Sequence, residues 1–321
     1  MPLFPAISPY QKNLFQKGRH HIYYEQSGNP EGKPVIFLHG GPGGGGDENA
    51  RRFFDPLYYR IIVMDQRGAG RSSPLGCVEE NTTWDLIDDI HDLKQRLCID
   101  RWMVFGGSWG STLAMAYAQS YPKEVSELVL RGIFMLRKKE IDWFYQQGAS
   151  FIYPEEWIRY ISIVPASKRG DFLGAYHQLL HFGTEIERVA AAQAWSRWEG
   201  ATSCLTQSKA LIDHFTEDKF SFALALIETH YFKNKGFFST EDYLLRNIDK
   251  IRHIPTVIVQ GRYDMVCPIE TAYELHAQWP EAEFIVAKNS GHSAYESEIT
   301  DYLVGATNQF LHKERNEKDT N

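Results

Sequence analysis

Apolar positions follow two rhythms along this chain. In the first third, short continuous runs are closed by turn residues: "PVIFLH" at 34–39, "RIIVMD" at 60–65, "RWMVFGG" at 101–107 and "VSELVLRG" at 125–132. Such runs predict strands buried on both faces. Between them, "WDLIDDIHDLKQRLC" at 84–98 and the Ala-rich stretch after Gly110 repeat apolar residues at helical spacing. This alternation predicts a parallel α/β sheet. From about 134 to 246 the rhythm changes. "SFIYPEEWIRYISIV" and "AAAQAWSRWEGATS" keep helical spacing with almost no β-branched runs, predicting an all-helical insertion. The α/β pattern then returns with "IPTVIVQGRYD" at 254–264, a helix near 270–278, "AEFIVAKNSGH" at 282–292 and a last helix over "ITDYLVGATNQFLH". The charged tail "KERNEKDTN" is expected to fray. The expected architecture is a mostly parallel sheet core, residues 1–133 and 247–321, with a helical cap at 134–246 set into it.

Composition narrows the classes of function. A chain of 321 residues can build a large core, and 43% hydrophobic with 23% charged residues is ordinary for a globular protein. A formal charge of -7 argues against nucleic acid or an anionic membrane surface as partner. No run approaches the roughly eighteen apolar residues that span a bilayer, and "MPLFPAISPY" has no basic start and no apolar stretch of the signal-peptide kind. Cys77, Cys98, Cys204 and Cys267 are widely spaced, without C-x-x-C, which suggests neither zinc ribbon nor redox pair and fits a reducing compartment. A cytoplasmic enzyme is the expectation.

Chemistry enters with "MVFGGSWGSTLAMAYAQ" at 103–119. Gly106 and Gly110 bracket Ser108 in the pattern G-x-S-x-G, between a strand end and a helix start. A serine caught in so sharp a turn presents its hydroxyl above a helix N-terminus, and flanking glycines give it room. Ser108 could instead simply cap the helix. A second glycine run, "HGGPGGGGDE" at 39–48, has two readings as well. Gly41, Gly43 and Gly46 match G-x-G-x-x-G and Asp65 closes the next strand, as in a dinucleotide-binding fingerprint. An irregular loop holding Pro42 and preceded by His39 suits that fingerprint poorly. The same glycines can leave backbone N–H groups free to face an oxyanion.

A serine nucleophile needs a base and an orienting acid, which in this class follow in the order acid, then histidine. "TVIVQGRYDMVCP" supplies Asp264, and "FIVAKNSGHSAYE" supplies His292, each just beyond an apolar strand. Sites in α/β sheets lie at that carboxyl edge. A lone Asp after a strand is commonly a turn former; three elements in the required order favour a catalytic triad.

With these motifs in hand, the chain resembles the α/β-hydrolases and, within them, the proline iminopeptidases, over nearly its whole length. The resemblance rests on "HGGPGGG", "DQRGAGRS", "GGSWGS", "RGIF", "WFYQQGAS", "AWSRWEG", "IETHYF", "GRYDMVCP" and "SGHS". It implies Ser108 as nucleophile, His292 as base, Asp264 as orienting acid, and the Gly41 and Trp109 amides as an oxyanion hole. It also implies that Glu199 and Glu228 hold the substrate amine, which sequence alone would not single out. Phe134 and Tyr145 are candidates to enclose a proline ring, and Cys204 or Cys267 could lie near the pocket, though packing suits both. The implied reaction is release of N-terminal proline from peptides through an acyl-enzyme, with no metal or organic cofactor; no H-E-x-x-H pattern occurs. The rivals are an esterase or related hydrolase of the same fold acting on an uncharged acyl group and, more distantly, an NAD- or FAD-binding oxidoreductase.

Overall fold

The structure is a computed structural model describing the backbone of residues 1–319 and the side chains of residues 1–311. The chain opens with β1 (Gln11–Lys17), β2 (His20–Gly28), β3 (Lys33–Leu38) and β4 (Tyr59–Met64), followed by α1 (Thr83–Arg96), β5 (Trp102–Gly107), α2 (Trp109–Ser120) and β6 (Val125–Arg131). Seven helices then follow without a strand: α3 (Lys138–Tyr145), α4 (Pro154–Ser162), α5 (Phe172–Phe182), α6 (Glu185–Thr202), α7 (Lys209–Phe215), α8 (Asp218–Lys233) and α9 (Tyr243–Arg246). The chain returns to the sheet with β7 (Thr256–Gly261), α10 (Ile269–Gln278), β8 (Glu283–Ala287) and α11 (Ser297–Asp319). The tail expected to fray continues α11 to Asp319; its side chains and the last two residues lie outside the described residues.

One eight-stranded sheet has the order β1-β2-β4-β3-β5-β6-β7-β8. The pairs β1/β2 and β2/β4 are antiparallel, and every other pair is parallel. Alternate residues of the apolar runs face opposite layers, as the two-residue strand period requires. In β4 and β5, Ile62, Met64, Trp102 and Val104 join the core with α1, α2 and α10. Ile61, Val63, Met103 and Phe105 join the core beneath α11. Burial on both faces explains why these strands read as continuous apolar runs, each large aliphatic contributing roughly 1.5–3 kcal/mol.

The antiparallel hairpin β1–β2 was absent from the sequence expectation. "QKNLFQK" and "HHIYYEQSG" mix polar and apolar residues because β1 is an exposed edge and β2 carries charge inward. Glu25 of β2 is fully buried and accepts from Arg51 Nε at 2.6 Å and from Arg71 Nη1 at 2.8 Å.

Helix starts follow local chemistry. Thr82 and Asp85 form a reciprocal capping box at α1, and Thr184 and Glu187 form another at α6. The second box begins the eighteen-residue helix that carries Glu199, and α8, packed against it, carries Glu228.

Candidate active site

Ser108 sits between β5 and α2 with φ 58° and ψ -128°, a strained conformation for a residue with a side chain. Its flanks have no room for a larger residue. A Cβ on Gly106 would lie 2.1 Å from the Gly110 carbonyl oxygen, and one on Gly110 would lie 2.2 Å from that of Leu38. The turn is held by the Ser108 N–H donating to the Arg131 carbonyl at 2.8 Å and by Ser111 Oγ donating to the Ser108 carbonyl at 2.7 Å. Ser108 makes no side-chain cap hydrogen bond to the helix, so capping does not account for it.

Sheet register brings the other candidates beside it. Leu38 pairs with Gly106, Gly107 with Arg131, and Arg131 with Val259. The loops after β3, β5, β7 and β8 therefore open on one edge of the sheet. Asp264 and His292 meet there: His292 Nδ1 lies 2.8 Å from Asp264 Oδ2. The acid is held in turn by the Cys267 N–H at 2.7 Å and by Gln260 Nε2 at 3.1 Å. With Nδ1–H facing the carboxylate, Nε2 presents its lone pair. The donor to that lone pair is not Ser108. Arg131 Nη1 donates to His292 Nε2 and to the His292 carbonyl, both at 3.0 Å. The Arg131 Nε is buried without a partner, and burial pulls the guanidinium below its ordinary pKa. Ser108 Oγ lies 4.0 Å from Cys267 Sγ.

Gly41 has φ +110°, and a Cβ there would lie 2.6 Å from the Gly43 nitrogen. The amide of Trp109, first residue of α2, lacks the helical partner that later residues have. The Trp109 side chain is fixed by Nε1 donating to Gln66 Oε1 at 2.8 Å, and Gln66 Nε2 donates to the His39 carbonyl at 2.9 Å. The glycine loop is tied down by the same histidine, whose Nε2 accepts from the Gln66 N–H at 2.9 Å while Nδ1–H donates to the Gly40 carbonyl at 2.9 Å.

A cavity of about 20 Å³ touches Gly41, Ser108, Glu199 and Glu228 together. That is room for a single water. Phe134 and Tyr145 line it, as does Cys267; Cys204 does not. Glu199 and Glu228 are 7% and 1% exposed. Neither has a Lys or Arg partner among the described residues. Trp195 Nε1 donates to Glu228 Oε2 at 2.6 Å, while Glu199 Oε2 is buried with no donor. Both carboxyls line the cavity beside Tyr145. Burial raises the Glu199 pKa to about 7; burial and then the Glu199 charge raise that of Glu228 well above the carboxylate range. A separate cavity of about 520 Å³ shares Ile141, Tyr145 and Phe232 with the small one, so these side chains form a partition.

Asp65 is fully engaged within the protein. It accepts from the Gly46 N–H at 2.9 Å, the Arg71 N–H at 2.8 Å and Arg71 Nε at 2.7 Å. No oxygen is left for a ribose, which removes the physical basis of the dinucleotide reading.

Sequence reasoning gave no role to Arg131, Trp195 or Phe232. Each carried a signal. Arg131 is a charge ending an apolar strand at the site edge, and Trp195 and Phe232 stand one helical turn from Glu199 and Glu228.

The model of the family described as alpha/beta hydrolase fold matches residues 33–299. The chain is 54% identical over 317 residues to a protein of Leptolyngbya boryana named "Probable proline iminopeptidase", covering 98% of this chain and 99% of that one. It is 53% identical over 310 residues to the "Proline iminopeptidase" of Xylella fastidiosa, covering 96% and 99%. Among solved structures, an alpha/beta fold family hydrolase from Bacillus anthracis superposes with a TM-score of 0.61 at 20% identity, covering 94% of this chain and 100% of that one.

Proposed function

This chain belongs to the proline iminopeptidases of the α/β-hydrolase fold, enzymes that remove N-terminal proline from peptides, and from that premise we propose which of its residues do the work. Ser108 is the nucleophile, His292 the general base and Asp264 its orienting acid. The helical insertion, residues 134–246, acts as a cap, supplying Glu199 and Glu228 to bind the protonated amine.

The substrate ammonium docks against the two glutamates, and its carbonyl reaches Ser108. His292 takes the hydroxyl proton as Oγ attacks. Its single lone pair cannot serve Arg131 and Ser108 together, so Arg131 gives up Nε2 when the serine engages. The Gly41 and Trp109 N–H groups stabilise the oxyanion, an effect worth about 2.7–4 kcal/mol per donor in such sites. His292 then protonates the leaving amine, and water, activated by the same ring, frees proline from the acyl-enzyme. A proline ring exceeds the space of one water, so the partition of Ile141, Tyr145 and Phe232 shifts on binding, with the larger cavity as room to move into.

The observation that carries this reading is one small cavity touching both Ser108 and two buried carboxyls without basic partners. Such a pair calls for a cation. An uncharged acyl group, the substrate of an esterase, would leave it unrelieved. Four free cysteines support a cytoplasmic location, and among the described residues no helix is long and apolar enough to cross a membrane. The test compares a prolyl anilide with its N-acetylated form. A preference of a hundredfold or more in kcat/KM for the free amine is expected; equal rates would overturn the assignment of the glutamates.

A further inference from the structure

Two buried carboxyls that line one cavity of about 20 Å³ without a basic partner cannot both stay ionised at low cost, and a proton held between them removes one of the two charges. Glu199 and Glu228 are in this position. The groups facing them do not supply a countercharge. Tyr145 comes from α3 and Tyr160 from α4, both neutral phenols raised further by burial. Glu140, also lining the cavity, is spent on Arg137 Nε at 2.6 Å. Cys267, from the loop after β7, is a buried thiol whose pKa burial also raises. Arg131 is turned to His292. A bare pair of negative charges in this enclosure has nothing to balance it.

We propose that the empty amine site holds one proton shared between Glu199 and Glu228, and that the arriving substrate ammonium displaces it to solvent. The site thus works as a cation exchanger, one proton for one ammonium. This rests on the amine-site reading above and adds the identity of what the amine replaces.

The acceptor inventory gives the reason. A protonated prolyl nitrogen carries two N–H donors. Glu228 Oε2 is already used by Trp195, and Glu199 Oε2 stands open. While the shared proton stays, one carboxyl turns its O–H on the other, and a lone pair on each is consumed. Its departure opens both carboxylates to the two N–H groups. The charge also balances. Before binding, the pair and its proton carry one negative charge; afterwards two carboxylates and one ammonium carry the same. A buried site that keeps its charge avoids the cost of creating a new one. The only bond broken is a carboxyl O–H, and the proton leaves to buffer. The raised carboxyl pKa values agree with a proton held near neutrality.

The test is calorimetric binding of L-prolinamide to the Ser108→Ala protein, which holds the ligand without cleaving it. Titrations at pH 6 in buffers of different ionisation enthalpy count protons. About one proton released per ligand is expected at pH 6, falling towards none at pH 8.5. The Kd should tighten close to tenfold from pH 5.5 to 6.5 and level off above 7.5. Glu199→Gln and Glu228→Gln, each added to Ser108→Ala, should weaken prolinamide binding about tenfold or more, because one acceptor carboxylate for the two N–H groups is lost. Amine-dependent binding with no proton release and a Kd flat across pH 5.5–7.5 would overturn the exchange while leaving the amine site standing. Equal binding of prolinamide and N-acetylprolinamide would instead remove the amine site, and the exchange with it.

Discussion

The carboxyl pair should make the empty enzyme less stable as pH rises, and its removal should show this. Burial pushes the Glu199 carboxyl from about 4.5 in an unfolded chain up to about 7. A folded state that holds a proton more tightly than the unfolded state gains stability that is complete below about pH 4.5 and is lost as pH climbs through 7. At about 1.36 kcal/mol for each tenfold change in proton affinity, the loss is about 3 kcal/mol by pH 8. Glutamine has no proton to lose, so Glu199→Gln escapes the decline. At roughly 2.1 cal/mol/K of unfolding entropy per residue, a chain of 321 residues shifts its Tm by about 5 °C for that energy. The variant should therefore match wild type near pH 4.5, melt about 5 °C higher at pH 8, and be far poorer in kcat/KM on a prolyl anilide. Thermal unfolding across pH 4.5–8 without ligand provides the assay. Parallel Tm curves for the two proteins would refute the reasoning, since a carboxyl ionised in both states leaves no pH-dependent difference.

Ser108→Ala should lose roughly 10⁴-fold or more in turnover with the fold intact; substantial activity in the folded variant would remove the triad assignment. Gly110→Ala forces a Cβ to 2.2 Å from the Leu38 carbonyl oxygen, so soluble protein with wild-type turnover would contradict the tightness of the serine turn. Arg67 donates to both Asp89 oxygens at 2.6 and 2.7 Å in a buried pair. Asp89→Ala, leaving that guanidinium only the half-buried Asp85 at 3.4 Å and the Glu80 carbonyl, should cost about 1.5–3 kcal/mol in urea unfolding; a loss under about 1 kcal/mol would mean that the pair is dispensable.

What the chain discloses before folding depends on how many partners a signal needs. The strands around Ile36, Ile62 and Val104 are legible because burial on both faces demands apolar residues whatever the neighbours are. The serine turn is legible because Gly106 and Gly110 answer to atoms a few residues away or one strand over. The β1–β2 hairpin is not, since its inward Glu25 reads as surface until Arg51 and Arg71 close on it. Glu199 and Glu228 look like ordinary helical acids for the same reason. Their burial is created by the packing of α6 on α8, which periodicity leaves unspecified, and only the resemblance singled them out. Arg131 was within a recognised motif, yet its bond to His292 joins residues remote in sequence and meeting only through strand pairing.

The helical excursion between β6 and β7 also orders events during synthesis. A nascent chain extending through β6 already contains the serine turn and the glycine loop. It contains neither Asp264 nor His292, which arrive on the last two strands after more than a hundred further residues. β7 pairs with β6, and β8 in turn with β7, and bringing such distant segments together costs less entropy once the intervening helices have folded and gathered their ends. The proposed nucleophile thus spends most of translation without its base, and hydrolytic competence is acquired in a single late step.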